Sequence, residues 1–148
     1  MKNIIALVTG SNRGLGRDIA LKMAEVVSGV AVHYESDRRA AEGVAKKIKS
    51  RGRLSASFSA DLTMEKEAFA LIRKVEKRFG KIDILINNFG PIIVKPWERI
   101  KWPEWDYILR SNLGSALFCI KAVLPGMRKR KWGRIINMTS FVAKQPAD

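Results

Sequence analysis

This 148-residue chain has one cysteine, one histidine and half as many acids as bases. One cysteine, Cys119, excludes an intramolecular disulfide and fits a reducing cytoplasm; its expected place is a small buried side chain on a helix. One histidine, His33, lies inside a predicted strand and is expected to pack rather than to catalyse, and no metal site is expected. Long apolar runs are missing as well. The stretch Ile4–Val8, after Met1, Lys2 and Asn3, is too short for the core of a signal peptide, and nothing reaches the ~20 apolar residues of a membrane span. The expectation is a cytoplasmic chain without a membrane partner. No repeat, low-complexity tract or linker interrupts it, so residues 1–148 read as one domain with enough length for a core.

Acids number 14 against 28 Lys and Arg, for a net charge of +14. Such an excess raises the question of a polyanionic partner. Residues 1–74 carry 14 basic and 8 acidic groups and residues 75–148 carry 14 and 6, so no basic arm stands out along the chain. The densest run, "MRKRKWGR", closes a predicted helix, where cations meet the negative end of the dipole. Nucleic acid is not the expected partner on this reading. Trp97, Trp102 and Trp105 cluster at the expected entry to the long helix, which reads as packing; a platform for bases would need interleaved arginines on an exposed sheet, which this segment does not suggest.

What the chain does have is alternation. Ile4–Val8 is a continuous apolar run, as a strand buried on both faces requires. A glycine-rich turn and a helical phase through Leu15, Ile19 and Met23 follow it. Further strands are expected at Val30–Tyr34, Ser55–Asp61, Ile82–Asn88 and Arg134–Ser140. Between them the periodicity predicts a helix from Arg39 to Ser50, and one capped by Thr63, with Ala68, Leu71, Ile72, Val75 and Phe79 inward and Gly80 at its end. Pro103 is expected to open a long helix with Leu109, Leu113, Leu117, Ile120 and Leu124 as its apolar stripe, bent or ended at Pro125. Five strands alternating with helices define an α/β fold, a doubly wound parallel sheet of Rossmann type.

The turn "VTGSNRGLGRDIA" places Gly10, Gly14 and Gly16 between the first strand and the first helix. A tight turn, close backbone approach and a helix N-terminus aimed at one point are what a bound pyrophosphate demands. Glycines alone are a weak signal, but here strand, turn and helix stand in the required order. The expected cradle is Thr9, Gly10, Ser11, Asn12, Arg13, Gly14, Leu15 and Gly16.

With Thr9, Gly10, Gly14 and Gly16 the chain resembles the short-chain dehydrogenases/reductases, whose first turn reads T-G-x-x-x-G-x-G. The likeness continues in order and covers the whole chain, and it is closest to the 3-oxoacyl-carrier-protein reductases. Asp61, with Leu62 beside it, stands where the family contacts the adenine. Asn87, Asn88 and Gly90 match the family's N-N-A-G, with Phe89 in place of the small residue; Asn88, Phe89 and Gly90 are expected at the cofactor. Asn112 matches the helix asparagine of the catalytic set, and Ser140 its serine.

The resemblance implies a nicotinamide cofactor. At the end of the second strand an NAD binder would place an acid on the ribose hydroxyls, and Tyr34 stands there instead, with Glu35 next. Arg13 in the turn, with Arg38 and Arg39 beyond it, favours the 2′-phosphate, so NADP (NADPH) is expected over NAD; Glu35 turned inward is the alternative.

The implied chemistry is hydride transfer to or from a carbonyl carbon of a small-molecule or acyl-thioester substrate. In the family a Tyr-x-x-x-Lys pair handles the proton, the serine bonds the substrate oxygen, and the asparagine holds a relay water. Eight residues follow Ser140, and the pair is not among them; Tyr107 precedes Asn112, has no lysine at that spacing, and is expected to pack. The chain thus reads as the N-terminal part of a reductase, homo-oligomeric (dimer or tetramer) when whole, or as a cofactor-binding or partner-subunit piece without chemistry of its own. Ile92 and Trp97 are expected in one wall of the substrate pocket.

Overall fold

The computed structural model describes residues 3–140. Its elements run Ile5–Val8 (β1), Gly14–Val26 (α1), Gly29–Tyr34 (β2), Arg38–Ser50 (α2), Leu54–Ser59 (β3), Glu65–Phe79 (α3), Ile84–Asn87 (β4), Trp102–Leu109 (α4), Ser115–Lys129 (α5) and Arg134–Asn137 (β5). The five strands form one parallel sheet in the order β3-β2-β1-β4-β5. The expected doubly wound class is what the structure shows.

Side chains alternate across that sheet as the pleat dictates. Ala6, Val8, Val30 and Val32 meet Ala20, Ala24, Val44 and Ile48 of α1 and α2 on one face. Leu7, Ala31 and Leu85 meet Leu71, Ile72 and Val75 of α3 and Cys119 and Val123 of α5 on the other. β1 is buried along its whole length because it has strands on both sides and helices on both faces. Burial also pushes the Cys119 thiol up to about 12, so this cysteine is a core side chain, as expected.

Several boundaries differ from the sequence expectation. β3 ends at Ser59, short of Asp61, and β5 ends at Asn137, short of Ser140. Thr63 does not cap α3. Its amide and hydroxyl both donate to Asp61 Oδ1, at 2.9 and 2.7 Å, so a tight aspartate turn takes it, and Met64 occupies the cap position without a side-chain bond. Gly80 does end α3, in the left-handed conformation at φ 86°, where a side chain would be strained.

The long helix departs most. Its buried stripe is Ser111, Ser115, Cys119, Val123 and Met127, four residues apart, while Leu109, Leu113 and Leu117 point outward, 43, 70 and 52% exposed. Small residues let the helix sit close to α3 and the sheet, and the larger leucines are left on the open side. A π turn at residues 110–114 separates α4 from α5. Pro125 lies inside α5 and does not end it; the helix continues to Lys129. The continuous helical run Trp102–Lys129, 28 residues, is by length and composition long and apolar enough to cross a membrane, though its inner stripe is seated in the core.

Candidate cofactor cleft

The strand order reverses between β1 and β4, and the crevice outside their C-terminal ends is where open α/β sheets bind ligands. A cleft of about 320 Å³ opens there. Its walls come from the β1–α1 turn (Gly10, Asn12, Arg13, Leu15, Gly16), the end of β2 (Glu35, Ser36, Asp37), the β4 turn (Asn88, Phe89, Gly90, Pro91) and Tyr107 of α4.

The β1–α1 turn is built for close approach. Gly10 and Gly14 take positive φ, 60° and 52°. A Cβ on Gly16 would lie 2.2 Å from the Gly10 carbonyl oxygen. α1 then begins with Arg13 at its cap, no side-chain cap bond and no acid in its first turn, so its leading amides face the cleft without an internal anion.

Two residues fasten that turn to the rest of the sheet. Thr9 Oγ1 accepts the amides of Asn88 and Phe89, both at 3.0 Å, and Asn88 Nδ2 donates back to the carbonyls of Thr9 and Gly10 at 3.0 and 3.1 Å. On the other side His33, fully buried, accepts the Gly10 amide on Nδ1 at 2.9 Å. Nε2 therefore carries the proton and donates to the Ala60 carbonyl at 3.1 Å. Burial lowers the His33 pKa to about 4, in keeping with a neutral ring. Packing was the expectation for His33; the structure makes it a hydrogen-bonding clamp as well. Phe89, where the family has a small residue, sets its ring edge-on to His33 at 5.9 Å.

Of the residues expected at the cofactor, Gly10, Asn12, Arg13, Leu15, Gly16, Asn88, Phe89 and Gly90 line the cleft together. Thr9 and Ser11 lie buried beneath it; Ser11 Oγ donates to the Val8 carbonyl at 2.7 Å and accepts the His33 amide. Leu62 is a core residue, and Asp61 is occupied with Thr63. Tyr34 packs against the α1–α2 side, and Arg38 pairs with Glu42 at 2.7 Å on the surface. Sequence reasoning missed Ser36, Asp37 and Pro91 as lining residues, and took Tyr107 as helix packing. Tyr107 instead reaches the cleft, its hydroxyl pKa raised by burial and then by the charges of Glu35 and Asp61. Nothing in its sequence context marked it.

Asn112 sits in the π turn beside the cleft. Its Nδ2 donates to the Pro91 and Ile108 carbonyls at 3.0 and 3.1 Å, and its Oδ1 fills the space a Cβ on Gly90 would need. A second hollow of about 250 Å³ borders it, lined by Pro91, Ile92, Ile93, Ile100, Glu104, Trp105 and Ile108. Ile92 lines that hollow although largely exposed, and Trp97, its ring edge-on to Trp105, lines a neighbouring one with Ile100, Trp102 and Trp105. Ser140 stands past the end of β5, the last ladder bond there being Met138 N–H to the Asn87 carbonyl at 2.9 Å. Residues 141–148 lie outside the described residues.

A parallel sheet with a glycine-rich turn at its switch point is the architecture of the α/β class that binds dinucleotides. The short chain dehydrogenase family model matches residues 4–148, and the chain belongs to that family. Among curated relatives, the 3-oxoacyl-[acyl-carrier-protein] reductase FabG of Staphylococcus epidermidis is 40% identical over 140 residues, covering 95% of this chain and 57% of the relative. The FabG of Staphylococcus aureus is 39% identical over 137 residues, covering 93% and 56%. Among solved structures, a 3-oxoacyl (acyl-carrier-protein) reductase from Agrobacterium tumefaciens with NADP bound superimposes with a TM-score of 0.89 at 29% identity, covering 97% of this chain and 55% of that one. Acetoin dehydrogenase from Enterobacter cloacae superimposes at 0.90 with 28% identity, covering 99% and 58%. The chain therefore spans a little over half the length of the relatives it matches.

Proposed function

We propose that this chain is the dinucleotide-binding part of a cytoplasmic NADP(H)-dependent carbonyl reductase, with a 3-oxoacyl thioester as the substrate class. The cleft at the switch point carries the reading. Gly10 and Gly16 let the turn pack tightly where a Cβ would strike Phe89, Asn88 or the Gly10 carbonyl, and the uncapped helix start supplies amides for a pyrophosphate. When bound, the nicotinamide cofactor supplies the hydride. The chain's own residues position and orient: Asn88 and Thr9 hold the turn, Asn112 would hold a relay water, and Ser140 would bond the substrate oxygen. A tyrosine for the proton does not follow Ser140 in this sequence. The chain alone is therefore expected to bind NADPH without turning over an acetoacetyl thioester, read as no change in NADPH absorbance; turnover would mean that another group gives the proton.

NADP specificity is supported by Arg13 on the cleft wall and by the relative with NADP bound. The specific observation on the other side is Glu35, also on the wall, which would accept from the hydroxyls of an unphosphorylated ribose. Calorimetric titration of both nucleotides separates them. Arg13→Ala is expected to weaken NADPH binding by about 10- to 100-fold, the loss of one charge-assisted bond, while NADH shifts by little. Tighter NADH binding by the unaltered chain would favour Glu35.

The outward leucines of the long helix fit a homo-oligomer contact. Leu113→Glu with Leu117→Glu is expected to lower the sedimentation mass to that of one chain; an unchanged mass would remove this surface from consideration.

A further inference from the structure

Charge that is even along the chain is uneven once the chain is folded. In a parallel sheet each covering helix runs back against the strands, so helix ends and strand starts share one edge, opposite the cofactor cleft. Three of those returns carry the excess. Residues 46–53, closing α2 and entering β3, hold five cations and no acid. Residues 73–81, the second half of α3 and the short loop after it, hold five cations with Glu76 as the one acid, Lys77 and Arg78 standing in the helix's last turn. Residues 128–134, closing α5 and entering β5, hold five more and no acid. β3 and β5 are the two outer strands and β4 adjoins β5, so the cations span the whole width of the sheet, roughly 20 Å for five strands.

Few acids at this edge neutralise them: Glu25, at the end of α1, pairs with Lys22 at 2.7 Å and has Arg51 near enough to act on its carboxyl. Lys47, Lys49, Lys74, Lys77, Lys129 and Lys131 are exposed and form no ion pair among the described residues. Asp83 is buried and already holds the Ile5 amide and Lys81, with Arg130 Nε at 3.8 Å. Arg51 is tied down by the Leu21 carbonyl at the end of α1, and Arg53 by that of Ala24. The acids Glu35, Asp37, Asp61, Glu65, Glu67 and Glu104 all belong to the opposite edge. The helix dipoles offset only about half a charge each at their C-terminal ends.

We propose that this basic edge docks the phosphate backbone of double-stranded nucleic acid, without regard to base sequence and apart from the cofactor cleft. A duplex presents one phosphate per ~1.7 Å of its axis, so a cation array of this width meets several at once. Seven of the fifteen cations are arginines, whose planar fork suits phosphate oxygens. A lipid surface would reward an apolar ridge. Here the exposed apolar side chains, Val26, Leu54 and Trp132, stand singly, and Arg134 lies over the Trp132 ring at 5.5 Å.

The test is fluorescence anisotropy of the full chain with a labelled duplex of about 20 base pairs, long enough to cover the edge at ~3.4 Å per pair. Micromolar binding at low salt is expected, with log K falling against log salt at a slope of about −4 to −6, as for five or so phosphates at −0.9 each. Lys74→Glu, Lys77→Glu and Lys129→Glu together are expected to weaken it by about 30-fold at low salt. The same number of reversals on the opposite edge, Lys66→Glu, Arg99→Glu and Lys101→Glu, should cost less than about threefold. Equal losses from both triple variants would overturn the proposal in favour of diffuse net charge. So would binding that ignores salt, or capture by phosphatidylserine vesicles with none by the duplex. Unchanged melting temperatures and NADPH affinities in both variants tie any difference to the surface.

Discussion

Gly16→Ala is expected to weaken nicotinamide dinucleotide binding by about 100-fold, equivalent to about 2.7 kcal/mol, and to lower stability by about 1–3 kcal/mol. The added Cβ would stand 2.2 Å from the Gly10 carbonyl oxygen and 2.4 Å from Asn88 Nδ2. Neither neighbour can yield freely. The oxygen belongs to the backbone of the turn, and the amide nitrogen is committed to the carbonyls of Thr9 and Gly10. Relief has to come from α1 moving away from the turn, which withdraws the amides meant for the pyrophosphate. Calorimetric titration with NADPH, beside a thermal melt, checks both numbers. Binding within threefold of the unaltered chain would mean that this turn does not hold the nucleotide.

His33→Leu is the second large effect. It leaves the Gly10 amide and the Ala60 carbonyl without their partner inside the protein, and each stranded polar group costs about 1–3 kcal/mol, so a loss of about 3–5 kcal/mol is expected at neutral pH. The histidine also imposes a pH dependence of known sign. Its pKa is about 4 folded against 6.5 for the free side chain, so the unfolded chain takes up the proton first as pH falls. The contribution is complete above pH 6.5 and is lost as pH falls from there through 4, by about 3 kcal/mol in all. Urea unfolding across that window, compared with His33→Leu, isolates it: the step should be present in one and missing from the other. Parallel curves would show that the ring is not held neutral by burial.

The inner strands were legible because both of their faces are buried. β1 read as the unbroken apolar run Ile4–Val8 and β4 as Ile82–Asn88, two residues early at its start, while β3, on an outer position and read as Ser55–Asp61, was the weakest and had its end misplaced. The long helix was read by its largest side chains. Leu113 and Leu117 outweigh Ser111, Ser115 and Cys119 in any apolar pattern, yet close packing against α3 favours the small residues. The π turn adds a residue with no compositional mark, so its place around Asn112 could not be read. Within the site, glycine spacing gave the cradle, but Ser11 and Thr9 differ from Asn12 and Arg13 only in which way the folded turn faces them. Glu35 and Tyr107 come together from elements far apart in the chain, and the basic edge depends wholly on strand order.

The Thr9 hydroxyl that receives the amides of Asn88 and Phe89 joins residues 79 and 80 positions apart, more than half the chain. Contacts of such separation form late, because a long loop must close before they give anything back. The cradle is therefore not a local property of residues 9–16, and a peptide ending before β4 would carry the motif without the pocket. A nucleotide held in this cleft would bind only molecules in which β1 and β4 have already met, and would draw the population toward them by mass action. A saturating cofactor should accordingly protect the amides of Asn88 and Phe89 from hydrogen exchange as strongly as those of the turn it touches.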